Sequence, residues 1–167
     1  MGAPAPAALE VVVFSDYQCP YCADADRALR SLREKYPKRL AVTVHHYPAR
    51  SHPLAELAAR GQVCARATGH GEQFHNLMFD SAFVLRKERF ASYARVVGIA
   101  DRGAFRACLE SPSISNALAA DASLAARLGV GLTPTLLVGQ RVYDGVPSDL
   151  VRIVEEALRH APSYIQQ

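Results

Sequence analysis

The sequence contains no apolar run that approaches the length of a membrane span, although 50% of its 167 residues are hydrophobic. A spanning helix needs about 20 consecutive, mainly apolar residues, so we predict no membrane insertion. The first residues, MGAPAPAALE, also lack the basic and apolar regions of a signal peptide. Two locations remain open: the cytoplasm, if Met1 is the natural start, or the periplasm or another extracytoplasmic space, if the chain is a mature domain.

Positive charge is neither abundant nor clustered. The formal net charge is +3, and the 19 lysines and arginines are scattered along the chain. Nucleic-acid-binding domains usually carry basic patches or stripes, so we predict no nucleic-acid partner and interpret the arginines as solvated positions on helix faces. Nothing in the sequence resembles an added dimerisation domain, and we therefore expect a monomer.

Cysteine is scarce, with four residues in 167. A chain of this length can bury a substantial core without covalent cross-links, so the cysteines do not indicate a disulfide framework. We expect one domain over residues 9–160, after a Pro- and Ala-rich segment at 1–8. Cys19 and Cys22 are separated by only two residues and require a different explanation.

The first part of the chain predicts alternating strands and a helix. Two runs rich in β-branched residues, LEVVVF (9–14) and LAVTVHHY (40–47), predict strands. Between them the pattern is helical from Pro20 to Tyr36, and Pro37 ends it. Strand, helix and strand with short links form a parallel β-α-β unit. Because LEVVVF is almost continuously apolar, we expect it to be buried on both faces.

The remainder predicts a helical block followed by two strands and a helix. From about residue 53 to 130 the apolar spacing is helical and glycines interrupt it. TLLVG (135–139) and RVYDG (141–145) predict a β-hairpin. A last amphipathic helix is expected over about 148–160. The predicted order is therefore β-α-β, helical block, β-β-α.

Cys19 and Cys22 lie at the predicted start of the first helix. Cys19 is at the expected N-cap, Pro20 is at the first helical position, where its missing N–H does no harm, and Cys22 is at the third. A sulfur at the N-cap can accept a backbone hydrogen bond and lies at the positive end of the helix dipole, which favours thiolate. Residues three apart on a helix have Cβ atoms roughly 5–6 Å apart, so a small adjustment permits a disulfide.

Other interpretations of the pair are weaker. A structural zinc site usually has four ligands, whereas the sequence has one C-x2-C pair and no histidine pair at finger-like spacing. Inert buried thiols are disfavoured because a helix N-terminus at the end of a central strand is accessible to ligands. We therefore assign no metal site. Five histidines are interpreted as surface or partly buried polar positions: His45, His46, His52, His70 and His75.

The stretch FSDYQCPYC (14–22) closely resembles the active-site segment of DsbA-like thiol–disulfide oxidoreductases. The resemblance continues in SHPLAELAA, GEQFHNLMFD, FRACLES and LGVGLTPTLLVGQRVYDG, and it extends from about Leu9 to Leu158. It implies an α/β, thioredoxin-like fold with a central mixed sheet. In that fold a thioredoxin core, residues 9–50 and 131–160, carries an inserted all-helical subdomain at about 53–130.

The resemblance also implies the chemistry. Cys19 would be the exposed nucleophile and Cys22 the buried resolving cysteine, and the pair would exchange a disulfide with protein or peptide thiols. Their disulfide would be the redox group, with no separate cofactor, and the sequence does not identify the redox partner. Redox tuning and substrate binding would fall on four residues: Pro20, Tyr21, Thr133 and Pro134.

Two further expectations follow from the same resemblance. Pro134 would form a cis peptide bond beside the active cysteines, and the Thr133 backbone would offer strand-like hydrogen bonds to a peptide. Cys64 and Cys108 can be interpreted as buried free thiols. Similar relatives carry cysteines in both matching stretches, however, which implies a structural disulfide between them.

The sequence departs from the family pattern at one position. Many thioredoxin-like proteins have a buried acid six residues before the nucleophile, and here that residue is Val13. The nearest acid, Asp16, is interpreted as a turn or capping residue. The favoured function is thiol–disulfide exchange in a direction that the sequence does not define. The alternatives are a redox-inactive module that binds peptides or partners and a zinc-binding domain.

Overall fold

A computed structural model describes residues 7–80 and 85–161. Most of the predicted N-terminal segment, residues 1–6, therefore lies outside the described residues. Within the described ranges, four strands form one mixed sheet in the order β2-β1-β3-β4. The strands are β1 (Leu9–Ser15), β2 (Leu40–His46), β3 (Thr135–Val138) and β4 (Arg141–Asp144).

Strand β1 lies in the centre of the sheet because both of its edges are paired. It runs parallel to β2, with Leu9 opposite Leu40, and antiparallel to β3, with Val11 opposite Val138. The expectation that β1 is buried on both faces is correct for most of the strand and wrong at Glu10, which is exposed. The central position places the end of β1, and the loop after it, in the middle of one sheet edge.

Helix α1 (Pro20–Lys35) starts at the end of that loop. Cys19 is the N-cap in an extended conformation, and Pro20 takes the first helical position, as the spacing predicts. The helix ends before Pro37, with Tyr36 as its C-cap. Its buried face consists of Cys22, Ala25, Leu29 and Leu32.

A helical subdomain is inserted between β2 and β3. It contains α2 (Ala55–Ala67), α3 (Gly71–Phe79), α4 (Phe90–Val96), α5 (Arg102–Glu110) and α6 (Pro112–Arg127), with a 3-10 turn at Lys87–Arg89. The chain then returns through β3 and β4 to α7 (Leu150–His160), which begins two residues later than predicted. In the part of the chain that is described, no helix is both long enough and apolar enough to cross a membrane.

Two large apolar clusters meet near α1. One joins the sheet to α1 and α7 and includes Val11, Leu29 and Val154. The other fills the helical subdomain and reaches Cys19 and Cys22. The start of α1 thus lies where the thioredoxin core and the helical insertion pack together, which confirms the predicted fold class.

Candidate redox-active site

Cys19 faces the loop that precedes β3. Its Sγ donates a hydrogen bond to the carbonyl oxygen of Thr133, with 3.5 Å between sulfur and oxygen. The sulfur does not accept a backbone hydrogen bond from α1, in contrast to the prediction from N-cap chemistry. Cys19 is also only 7% exposed, so the expectation of an exposed nucleophile is wrong for this conformation. The Thr133 loop and the packing at the start of α1 account for this burial.

Cys22 lies deeper than Cys19. It is 1% exposed, and its Sγ accepts a hydrogen bond from the Asp16 backbone N–H at 3.4 Å. Burial raises the pKa of the Cys22 thiol to about 12, because the thiolate loses its hydration, although the Asp16 N–H partly opposes this effect. Both cysteines are free thiols. The pair is therefore asymmetric, with Cys19 next to the surface loop and Cys22 in the interior.

The loop before β3 has the geometry that the resemblance implies. The Thr133–Pro134 peptide bond is cis. The hydroxyl of Thr135 donates to the Leu132 carbonyl at 2.9 Å, and the Gly145 N–H donates to the Pro134 carbonyl at 2.8 Å. These bonds connect the loop to β3 and to the end of β4, and so hold the Thr133 carbonyl against Cys19.

Two exposed apolar side chains are close in sequence to Cys19 and to the Thr133 that it contacts. Tyr21, the third residue of the C-x-x-C motif, is 67% exposed, and Leu132, next to Thr133, is 45% exposed. Pro20 is exposed as well.

Asp16 holds the loop that leads into α1. Its carboxylate accepts hydrogen bonds from the backbone N–H groups of Gln18 and Ala49, at 2.7 and 2.8 Å, and contacts His52 Nδ1 at 2.8 Å. The bond to the N–H two residues later is that of an Asx turn. The residue is 2% exposed, and its position agrees with the interpretation as a turn residue.

The sequence patterns did not identify a buried polar chain beside Cys22. Tyr17 Oη lies 2.8 Å from His75 Nδ1, and His75 Nε2 lies 2.7 Å from Asp26 Oδ1. His75 is 1% exposed and His46 is 6% exposed, so their interpretation as surface or partly buried positions is wrong. His75 is 58 positions from Tyr17 and 49 positions from Asp26 in the sequence, so no local spacing relates the three residues.

The second cysteine pair lies in the helical subdomain. Cys64 on α2 and Cys108 on α5 form a disulfide with an S–S distance of 2.04 Å. This is the pairing that the resemblance implies. In residues 7–80 and 85–161, no group of three or more His, Cys, Asp or Glu side chains is arranged to hold a metal ion.

These features define a class of protein: a thioredoxin fold in which a C-x-x-C pair begins a helix and faces a cis-proline loop. A sequence profile of the family described as thioredoxin matches residues 1–156. The chain belongs to the thioredoxin family.

Solved structures agree with the class. A thioredoxin-like oxidoreductase from Silicibacter pomeroyi DSS-3 superposes with a TM-score of 0.83 at 26% identity, over 97% of this chain and 92% of that one. The thiol-disulfide exchange protein alpha-DsbA2 from Wolbachia pipientis gives a TM-score of 0.82 at 18% identity, over 96% and 86% of the two chains. The second likeness shows the fold alone. The chain thus has the DsbA-like architecture.

Curated relatives include much longer proteins. The Na(+)/H(+) antiporter NhaA of Herminiimonas arsenicoxydans is 31% identical over 157 residues, which is 93% of this chain and 25% of the antiporter. The chain therefore spans about a quarter of the length of the curated relatives that it matches. The similarity relates this domain to one part of those proteins.

Proposed function

We propose that this protein is a DsbA-like oxidoreductase that exchanges a Cys19–Cys22 disulfide with the thiols of proteins or peptides. Cys19 is the nucleophile that bonds to the substrate, and Cys22 is the resolving cysteine. The observation that carries the proposal is the asymmetric placement of the two sulfurs. Cys19 Sγ lies 3.5 Å from the Thr133 carbonyl on the loop side, whereas Cys22 is 1% exposed in the interior.

The placement of Cys19 at the start of α1 supports its role as leaving group. The N-terminal end of a helix favours negative charge. In the oxidising direction, a substrate thiolate attacks Cys19 Sγ, the Cys19–Cys22 bond breaks, and Cys22 leaves with the electron pair. A second substrate thiolate then attacks the substrate sulfur of the mixed disulfide, and Cys19 leaves as thiolate. The substrate loses two electrons, and the enzyme pair gains them.

The loop before β3 supplies the binding surface in this proposal. The Thr133 backbone lies beside Cys19, so an extended peptide that brings its sulfur to Cys19 passes next to it. Main-chain hydrogen bonds to such a peptide are independent of side-chain identity. Tyr21, two residues after Cys19, and Leu132, next to Thr133, add exposed apolar surface. Unfolded or extended segments with a cysteine are therefore the preferred substrates.

The test compares two single-cysteine variants of the pair. C19S should abolish both insulin reduction and the oxidation of a peptide dithiol, because no mixed disulfide can form. C22S, supplied with a peptide held in an intermolecular disulfide, should accumulate a stable mixed disulfide, detected by mass spectrometry, because Cys19 attacks that disulfide and the resolving step is lost. A double variant, C64A/C108A, leaves both reactive cysteines in place and serves as the control.

Two outcomes would contradict the proposal. Survival of both activities in C19S would show that Cys19 is not the nucleophile. A Cys19–Cys22 couple that does not exchange with glutathione at any ratio of its two forms would instead indicate a redox-inactive peptide-binding module.

A further inference from the structure

A buried polar chain extends from the core to the surface next to Cys22. It starts at Tyr17, passes through His75 and Asp26 at 2.8 and 2.7 Å, and ends at Arg30. Arg30 Nε lies 2.9 Å from Asp26 Oδ2 in an ion pair without a well-aligned hydrogen bond. The side chain of His75 is 1% exposed, that of Asp26 11% and that of Arg30 33%. These polar side chains thus form a continuous series of contacts from the buried His75 to the partly exposed Arg30.

This chain and the resolving cysteine line the same small cavity. Cys22, Asp26 and His75 contribute to its wall, and Ser15 is its other polar lining residue. Its volume is about 10 Å³, which is near the lower limit for one water molecule. Val13 lines it from β1, so the central strand brings no carboxylate to the cavity. Asp26 and His75 are therefore the ionisable side chains that share this space with the Cys22 sulfur.

Thiol–disulfide exchange requires a proton to move at Cys22. The sulfur attacks as thiolate and leaves as thiolate, but a buried thiolate is poorly solvated, and burial raises the pKa of Cys22 to about 12. A group that removes the proton during attack, and returns it during departure, would lower both barriers. Near neutral pH bulk solvent is a poor proton acceptor for this sulfur, because Cys22 is 1% exposed.

We propose that the hydrogen-bonded pair Asp26–His75 carries the proton of Cys22 during disulfide exchange, with Tyr17 orienting the His75 ring and Arg30 connecting Asp26 to the surface. This inference rests on the proposed function and adds a role for residues outside the C-x-x-C motif. The pair takes the proton when Cys22 attacks and gives it back when Cys22 leaves.

The resolving step balances as follows. The Cys22 thiol transfers its proton to the Asp26–His75 pair, directly or through one water in the cavity. The Cys22 sulfur attacks Cys19 Sγ, a Cys22–Cys19 bond forms, and the bond between Cys19 and the substrate sulfur breaks. The substrate leaves as a thiolate with the electron pair, so its sulfur is reduced while the Cys22 sulfur is oxidised.

Asp16 is the other carboxylate near Cys22, but its contacts stabilise the loop before α1 and do not reach the Cys22 sulfur through its side chain. Both of its oxygens face the loop, where they bind the Gln18 and Ala49 N–H groups and His52. Only its backbone N–H reaches the Cys22 sulfur. The titratable or charged groups that line the cavity or interact with the residues around it are the following: Asp16, Tyr17, Cys19, Asp26, Arg30, His46, His52, Arg66 and His75.

The test separates the attack of Cys22 from the reaction of Cys19. Reduced protein reacts with dithiobis(nitrobenzoate), and Cys19 releases a first thionitrobenzoate as it forms the mixed disulfide. Cys22 then releases the second one. Because thionitrobenzoate leaves without taking a proton, the second phase in stopped-flow absorbance reports on proton loss from Cys22 alone. The rates of both phases are measured against pH for the wild type and for D26N.

In D26N the second phase should be about tenfold slower or more near neutral pH, and the difference should close as hydroxide becomes able to deprotonate Cys22. The first phase should not change. The sign is diagnostic, because an effect of charge alone would act in the opposite direction: removing a nearby negative charge stabilises a thiolate. The matched control is D24N, since Asp24 lies on the same helix and its side chain is 54% exposed.

H75Q tests the same proton-carrying role by substitution of the histidine. A glutamine keeps hydrogen bonding at position 75 but cannot exchange a proton, so it should reproduce the slow second phase and its pH dependence. Circular dichroism of both variants checks that they fold.

Two outcomes would overturn the inference. A folded D26N or H75Q with the wild-type second phase at every pH would remove the proton-carrying role and leave the proposed exchange intact. If C22S still released the second thionitrobenzoate at the wild-type rate, both the inference and the proposed function would be overturned.

Discussion

The Cys19 sulfur lies 3.5 Å from the carbonyl oxygen of Thr133, although 114 residues separate them along the chain. The contact is possible because β1 and β3 are neighbours in the sheet, so the loop after β1 and the loop before β3 meet at one edge. The helical subdomain is inserted between these strands without separating them. The reactive cysteine and the loop beside it are thus brought together by strand order.

The exposed side chain of Tyr21 is expected to bind the apolar part of a peptide substrate. Y21A should raise the KM for a peptide disulfide about five- to tenfold, because the apolar contact area is lost. A change in the redox equilibrium would affect large and small disulfides alike. The reaction with oxidised glutathione should therefore remain within about twofold of the wild type, as expected for a loss of peptide contacts alone.

V142A is the matched control for this substitution. Val142 is 55% exposed on β4, the edge strand, away from the Cys19 loop. Equal losses in Y21A and V142A, or equal effects of Y21A on both disulfides, would exclude the proposed contact.

Local patterns were sufficient to predict the strands, α1 and the position of the C-x-x-C pair. The apolar run before Cys19, Pro20 at the helix start and Pro37 after its end act over a few residues, and the structure agrees with each. Glu10 is exposed on β1 because one strand face near its start is not fully covered, which the apolar run around it could not indicate.

Contacts between distant residues were not predictable in the same way. His75 looks like any polar residue on a helix until α3 packs against α1 and places it 2.7 Å from Asp26. The burial of Cys19 has a similar origin, because it depends on a loop from the other end of the chain. The disulfide of Cys64 with Cys108 followed from the family resemblance and not from the spacing of the two cysteines.

Asp16 is expected to stabilise the fold through its loop contacts. D16A leaves the N–H groups of Gln18 and Ala49 without their acceptor in a buried position. We expect the free energy of unfolding to fall by about 3 kcal/mol, measured by urea denaturation at neutral pH. Asp24 provides the comparison, since D24A removes an exposed carboxylate and should change stability by less than about 0.5 kcal/mol. Similar losses in both variants would contradict the anchoring role.

The disulfide between Cys64 and Cys108 is expected to stabilise the helical subdomain. It closes a loop with a sequence separation of 44 residues, for which loss of chain entropy in the unfolded state gives at most about 4 kcal/mol. C64A/C108A should therefore unfold at a lower urea concentration than the wild type. It should keep the two-phase reaction at Cys19 and Cys22, because the disulfide joins α2 and α5 rather than α1. Loss of that reaction in a folded double variant would refute the separation of the two pairs.

His46 is expected to make stability depend on pH. His46 is the last residue of β2 and is buried against α2, with Nε2 3.2 Å from Gln62 Oε1. Burial lowers the pKa of His46 from 6.5 to about 4, because the imidazolium loses its hydration. Since the unfolded chain binds the proton more readily, this contribution is complete above about pH 6.5 and is lost as the pH falls toward about 4. A shift of this size corresponds to about 3 kcal/mol.

Urea denaturation at a series of pH values in this window measures the effect. H46Q should reduce the decrease in unfolding free energy between neutral pH and the acidic end, because the titrating imidazole is gone while a polar side chain remains near Gln62. H160Q is the matched control, since His160 is an exposed histidine at the end of α7. An H46Q curve parallel to that of the wild type would show that other groups produce the acid sensitivity. A flatter curve would assign it to the imidazole that β2 buries against the helical insertion.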